Sequence, residues 1–148
     1  METIEFITKS PEETEALGRR IGALLSGNET IALFGGLGMG KTAFVRGLAE
    51  GLELDSNEVS SPTFAIVHEH EGTKLLYHFD MYRVESWDDL YSTGFFDYLG
   101  RGVVVTEWSE NIEEALPDDR ITIEISAPYH DDTRIFHING LGEGVALL

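Results

Sequence analysis

The chain has 148 residues, no cysteine and a formal net charge of −17, with 10 basic residues set against 27 acidic ones. That length buries a core without staples and is read as a single domain over residues 1–148, while the missing cysteine excludes disulfides and thiolate metal sites. The charge excludes a bare nucleic-acid surface, which needs clustered Lys and Arg; it either favours a basic partner or serves general solubility or a salty habitat.

The start, METIEFITKSPEETEALG, has no basic segment followed by an apolar run, so it does not read as a signal peptide. No apolar stretch approaches the roughly 18 residues of a membrane span. The expectation is a soluble, cytoplasmic protein with no membrane contact. Ser10 can cap a helix, Pro11 suits its first position and Glu13 completes a capping box. The following run puts Leu17, Ile21, Leu24 and Leu25 on one face, and Gly27 is its expected stop. ETIALFG (29–35) has strand length and ends in glycine. KTAFVRGLAEGL then predicts a helix with Phe44, Val45 and Leu48 inward.

A polar loop, LDSNEVSSPT, leads into FAIVHEHEGTKLLYHFD, which reads as two strands around a turn at Glu71-Gly72-Thr73. Ser86 can cap a helix through WDDLYSTGFFDYL. RGVVVTEW (101–108) is a buried strand that reaches an acid, and ENIEEALP is a short helix stopped by Pro117. RITIEIS and TRIFHIN read as paired strands, with Asp131-Asp132 in the turn between them. Helices and strands alternate early, and strand pairs sit in the middle and at the end. The prediction is an α/β fold with a mixed parallel and antiparallel sheet covered by helices.

Residues 35–42 read GGLGMGKT and hold one of the chain's three lysines. The pattern is that of a P-loop, made of Gly35, Gly36, Leu37, Gly38, Met39, Gly40, Lys41 and Thr42. Such a loop curls until several backbone N–H groups point at one oxyanion, and glycine permits both the dihedrals and the close approach. The helix that follows offers its positive end to phosphate. Lys41 then reaches the β- and γ-phosphates, and the Thr42 hydroxyl can ligate Mg²⁺. A strand before the stretch and a helix after it supply the context this chemistry requires.

Phosphate chemistry at a P-loop also needs an acid at the end of a neighbouring strand. LLYHFD delivers Asp80 and VVVTE delivers Glu107. One can bind the metal and the other can orient or deprotonate water, and the sequence leaves open which does which. In SSPTF (60–64), Thr63 can swing to the γ-phosphate side as a switch, or the segment is an ordinary Ser-Pro turn. Trp108, next to Glu107, is either a core residue or a stacking contact. Arg134, just after the Asp-Asp turn, can reach a phosphate or base. A guanine-specific GTPase is disfavoured because no NKxD-type base-reading motif occurs. A small-molecule kinase lacks the expected arginine-rich lid, since the seven arginines are spread thinly.

GGLGMGKT, SSPTF, HFDMYR (78–83) and TEWSE (106–110), in that order and spacing, resemble the TsaE family of bacterial tRNA threonylcarbamoyladenosine synthesis. The resemblance runs from about residue 10 to residue 137. It implies a P-loop NTPase-type three-layer fold and an ATP- and Mg²⁺-dependent ATPase, weakly active alone. It implies two partners, TsaB and TsaD, and weak or no direct nucleic-acid binding by the chain itself. Carried over by position, Lys41 and Thr42 would bind phosphate and Mg²⁺, and Thr63 would belong to a switch-like loop. Asp80 would be the Walker-B-like acid, Glu107 a metal-side acid with Trp108 as its neighbour, and Arg134 would lie near the nucleotide. The family often carries an acid where this chain has Gly36, a side chain on which the reading places no chemistry. A small-molecule kinase and a nucleotide-bound scaffold without turnover remain the alternatives.

Overall fold

The computed structural model describes residues 3–35, 40–54 and 74–142, together with the backbone of 68–70. Its elements run β1 (Ile4–Thr8), α1 (Pro11–Leu24), β2 (Thr30–Phe34), α2 (Lys41–Gly51), β3 (His68–His70) and β4 (Leu76–Asp80). Then come α3 (Trp87–Ser92), α4 (Phe95–Tyr98), β5 (Val103–Glu107), a 3-10 helix (Ser109–Ala115), β6 (Ile121–Ser126) and β7 (Arg134–Asn139). The strands form one mixed sheet in the order β1-β7-β6-β2-β5-β4-β3. Its centre, β6-β2-β5-β4, is parallel. Its margins are antiparallel, β3 on one side and the β7–β1 pair on the other.

Alternation along the strands sorts their side chains into two cores. Ile31, Leu33, Val103, Val105, Ile121 and Ile123 face α1 and α2. Ala32, Tyr77, Phe79 and Val104 face the other way, under Leu90, Phe95 and Ile112 of α3, α4 and the 3-10 helix. The fold is thus a three-layer α/β arrangement, as the sequence predicts. His78, Asp80 and Glu107 share the parity of Leu76, Val103 and Val105, so they belong to the α2 side.

The helix starts follow their capping chemistry. The Ser10 hydroxyl accepts the Glu13 amide at 3.1 Å, and the Glu13 carboxylate turns back to the Lys9 amide at 3.1 Å. Leu17, Ile21 and Leu25 are buried, and α1 ends at Leu24, three residues before the expected stop at Gly27. Ser86 caps α3 by accepting the Asp89 amide at 3.1 Å. The single helix expected from Trp87 to Leu99 is instead two. Gly94 takes φ +79°, and the Thr93 hydroxyl both donates to the Leu90 carbonyl (2.6 Å) and accepts the Phe95 amide (3.1 Å), which diverts the chain. The expected turn at 71–73 and the residues before His68 lie outside the described residues.

Two features escape the sequence reading. IEFIT forms β1, which pairs in antiparallel register with β7 (Phe6 opposite Phe136). Glycines spaced four apart on α1 (Gly18, Gly22) and α2 (Gly47, Gly51) let the two helices touch backbone to backbone. A Cβ on Gly47 would lie 1.9 Å from the Glu15 carbonyl oxygen, and one on Gly18 would lie 2.3 Å from that of Phe44. Gly47→Ala gains about 1 kcal/mol of helix propensity. It loses about 1–3 kcal/mol or more to overpacking against backbone that cannot yield. Thermal unfolding should show a lower Tm for Gly47→Ala. An unchanged or raised Tm would mean that the helices do not approach this closely.

Candidate functional site

Parallel strands end on the same edge of a sheet, and here β2, β4 and β5 end together, with Asp80 directly opposite Glu107. The ladder carries one step further, because the Met81 amide donates to the Glu107 carbonyl at 3.0 Å. β2 runs into Gly35, whose φ of +138° suits glycine. α2 starts at Lys41 behind Gly40, which is left-handed at φ +85°. The glycine-rich stretch therefore leaves a central strand and enters a helix N-terminus, as the sequence predicts. Gly36, Leu37, Gly38 and Met39 lie outside the described residues, as does Thr63.

Lys41 is the centre of the arrangement. Its side chain is only 6% exposed, and an ammonium at that depth must be satisfied. It donates to the Gly35 carbonyl at 3.1 Å and lies 3.8 Å from Glu107 Oε1. It also sits 4.8 Å from the centroid of the Trp108 ring, a cation–π contact. Glu107 is itself buried, and its second oxygen meets His78 Nε2 at 2.5 Å. His78 is fully buried, and its Nδ1 has no partner among the described residues.

Asp80 stands beside Glu107 and accepts the Tyr82 amide at 2.9 Å. Burial, first, and the Glu107 charge push its carboxyl above the ordinary aspartate value, against the pull of the Tyr82 N–H. Trp108 adopts φ 57°, ψ 43°, a left-handed conformation that costs a non-glycine residue roughly 1–2 kcal/mol. That bend comes directly after β5. The indole packs on Tyr82 at 4.9 Å as well as on Lys41, half-buried, which places Trp108 between the two readings of core and contact residue. Thr42 follows Lys41 in the first turn of α2 and is half-buried. On the other flank, Arg134 comes from the start of β7. Its Nε lies 3.9 Å from where a Cβ on Gly40 would be, and its Nη1 donates to the Asp131 and Thr133 carbonyls.

The structure thus gathers Gly35, Gly40, Lys41, Thr42, Asp80, Glu107, Trp108 and Arg134 at one edge of the sheet. Two further residues belong here. His78 stands in the HFDMYR segment, but the reading there turned on its aspartate. Glu110 accepts the Gly35 amide at 3.2 Å, 75 positions away; it closes the TEWSE segment, but the reading there turned on Glu107. Chemically, the edge offers two cations (Lys41 and Arg134), three carboxylates (Asp80, Glu107 and Glu110) and a helix N-terminus. Those are the parts needed to hold a polyphosphate and a divalent metal.

Asp80 also gives a stability prediction. A carboxyl whose folded pKa is raised binds more protons folded than unfolded, so stability falls as pH rises through that window. At pH 7 the charge on Asp80 therefore works against the fold. Asp80→Asn keeps the acceptor for Tyr82 and should raise Tm at pH 7, with the gain shrinking as pH falls toward 4. A lower Tm for the variant at pH 7 would contradict the assignment.

Comparison with known proteins identifies the family. The family model described as threonylcarbamoyl adenosine biosynthesis protein TsaE matches residues 8–136. The TsaE protein of Bacillus subtilis is 39% identical over 137 residues, covering 91% of this chain and 85% of the relative. That of Treponema pallidum is 38% identical over 120 residues, covering 80% and 88%. The TsaE protein of Aquifex aeolicus is 42% identical over 108 residues, covering 72% and 77%. The crystal structure of Bacillus subtilis YdiB superposes with a TM-score of 0.74 at 33% identity, covering 99% of this chain and 91% of that one. With a family match over most of its length and relatives this similar on both sides, the chain belongs to the TsaE family of tRNA threonylcarbamoyladenosine biosynthesis.

Proposed function

We propose that this chain hydrolyses ATP and acts as the nucleotide-driven member of an assembly with TsaB and TsaD. The observation that carries the reading is Lys41. Its ammonium is buried at a helix N-terminus and held by a glycine carbonyl, a carboxylate and an indole. A lysine in that position has little structural use, since its burial costs more than an apolar side chain would. A polyphosphate entering there would replace the Gly35 carbonyl and Glu107 as its partner.

In this reading the amides of Gly35–Gly40 and the first turn of α2 cradle the phosphates. Lys41 reaches the β- and γ-phosphates, and Arg134 closes the Gly40 side. Thr42, Asp80 and Glu107 would hold Mg²⁺, which when bound neutralises charge on the phosphate oxygens. The reaction is attack of water on the γ-phosphorus. The bond from phosphorus to the β–γ bridging oxygen breaks, leaving ADP and inorganic phosphate. Glu107, fixed by His78, and Asp80 would share the positioning of Mg²⁺ and of the attacking water, and one of them takes its proton. Lys41 stabilises charge on the transferring group. Thr63 remains the expected switch residue of the SSPTF segment.

The family membership supports the setting in tRNA modification. The charge of −17 suits a chain that leaves tRNA binding to its partners. Among the described residues, no helix is long and apolar enough to cross a membrane. A cytoplasmic location accords with the family's setting in tRNA modification.

The test is phosphate release from Mg-ATP by the chain alone and with purified TsaB–TsaD. We expect slow release alone, a clear rise with the pair, and a loss of about 100-fold or more in Lys41→Ala. Normal release by Lys41→Ala would refute the site. Labelled phosphate on an acceptor would point to a kinase. Tight ATP binding without release under any condition would point to a scaffold.

A further inference from the structure

Away from the nucleotide edge, α3 and α4 expose an aromatic patch. Trp87 is 50% exposed, Tyr91 64% and Phe96 36%. Their rings form one cluster, with centroids 5.2–6.5 Å apart. A contiguous exposed patch of this composition is unusual on a protein that works unaccompanied. Tryptophan, tyrosine and phenylalanine are the residues enriched where proteins meet.

Beside the patch, between α3 and the 3-10 helix, lies a groove of about 330 Å³. Trp87 forms one wall, and the polar rim carries Glu85, Glu110, Glu113 and Glu114, with no cation among the lining residues. Its floor is apolar, built by Val84, Leu90 and Ile112. The four glutamates repel one another and would repel a phosphate backbone, so neither RNA nor an anionic lipid surface suits the groove. A guanidinium suits it twice over, pairing with carboxylates at the rim and stacking on the Trp87 indole.

We infer that this groove and patch dock an arginine-bearing segment of a protein partner, with apolar residues of the segment covering Tyr91 and Phe96. The inference rests on the reading that the chain works bound to TsaB–TsaD. The groove also adjoins the nucleotide edge. Glu110, on its rim, is the residue that accepts the Gly35 amide, so a guanidinium that engages Glu110 shares its carboxylate with that amide. Docking here is thereby felt at the first glycine of the phosphate-binding stretch.

The experiment measures binding of the full chain to purified TsaB–TsaD by calorimetry at two salt concentrations, with sedimentation of the chain alone. Three variants are compared: Trp87→Ala, Glu113→Lys with Glu114→Lys, and Glu53→Lys with Glu12→Lys. The last changes net charge equally at exposed positions on the α1–α2 side of the sheet, opposite the groove. All substituted residues are exposed, and thermal unfolding checks that each variant folds. We expect the first two to bind about ten-fold or more weakly. The third should bind much as the wild type does, and affinity should fall with salt. If wild type binds and the first two variants bind equally well, the groove assignment is overturned while the partner reading stands. If wild type does not bind the pair, the partner reading falls and the groove assignment with it. A chain that self-associates through Trp87 would also overturn the proposal, because the patch would then belong to a second copy.

Discussion

A single buried ammonium constrains this structure. Lys41 enters the protein interior with its charge, and the fold must answer that charge from several directions. The Gly35 carbonyl, the Glu107 carboxylate and the Trp108 face do so, each from a different element. Glu107 in turn is held by His78 on the next strand, so the charge is anchored two strands deep. Replacing such a cluster with apolar side chains would as a rule cost no stability. Its retention fits a group kept for a ligand, and the left-handed Trp108 and the raised pKa of Asp80 are further costs borne at the same edge.

The scaffold explains how the cluster can be so tight. Parallel strands bring Asp80 and Glu107 into register on the α2 side of the sheet. α2 must then sit low enough for Lys41 to reach them. Its glycine face lies directly on the glycine face of α1, and Phe44, Val45 and Leu48 seal it to the sheet. On the opposite layer the shorter helices are less bound by this demand. There the chain exposes Trp87, Tyr91 and Phe96, and the 3-10 helix that follows Trp108 reaches from the site to the acidic groove. The two faces thus divide the work between holding a charged centre and presenting a surface.

Much of this is legible in the sequence because it is local. The strand before Gly35, the helix after Gly40, the caps at Ser10 and Ser86 and the acids closing LYHFD and VVVTE all follow from short-range patterns. What escapes is set by partners far along the chain. β1 is stabilised by pairing with β7, more than 120 residues away, and its short Ile4-Glu5-Phe6 alternation is a weak signal alone. Gly18, Gly22, Gly47 and Gly51 look like poor helix residues until the facing helix is seen. The four-residue spacing on both helices was the available clue. His78 shares a motif with Asp80, yet only the register of β4 against β5 points it at Glu107. Glu110 closes the TEWSE segment, but its bond to a backbone amide 75 residues away leaves no pattern that would single it out. The break at Gly94 was readable from Thr93-Gly94, which offers a side-chain bond and a left-handed position in succession.

The central claim is that the Lys41 ammonium exchanges its internal partners for phosphate. The chain has only three lysines, Lys9, Lys41 and Lys74, so ¹⁵N-lysine labelling isolates the group. Lys74 donates to the Leu25 carbonyl at the opposite end of α1 from Ser10, and it serves as an internal reference. The most direct measurement is the side-chain ammonium spectrum during titration with Mg-ATP, with the Lys41 signal identified by its loss in Lys41→Ala. The account predicts that the Lys41 resonance alone shifts, and that it saturates with nucleotide. A Lys41 resonance that stays in place while ATP binds would contradict it.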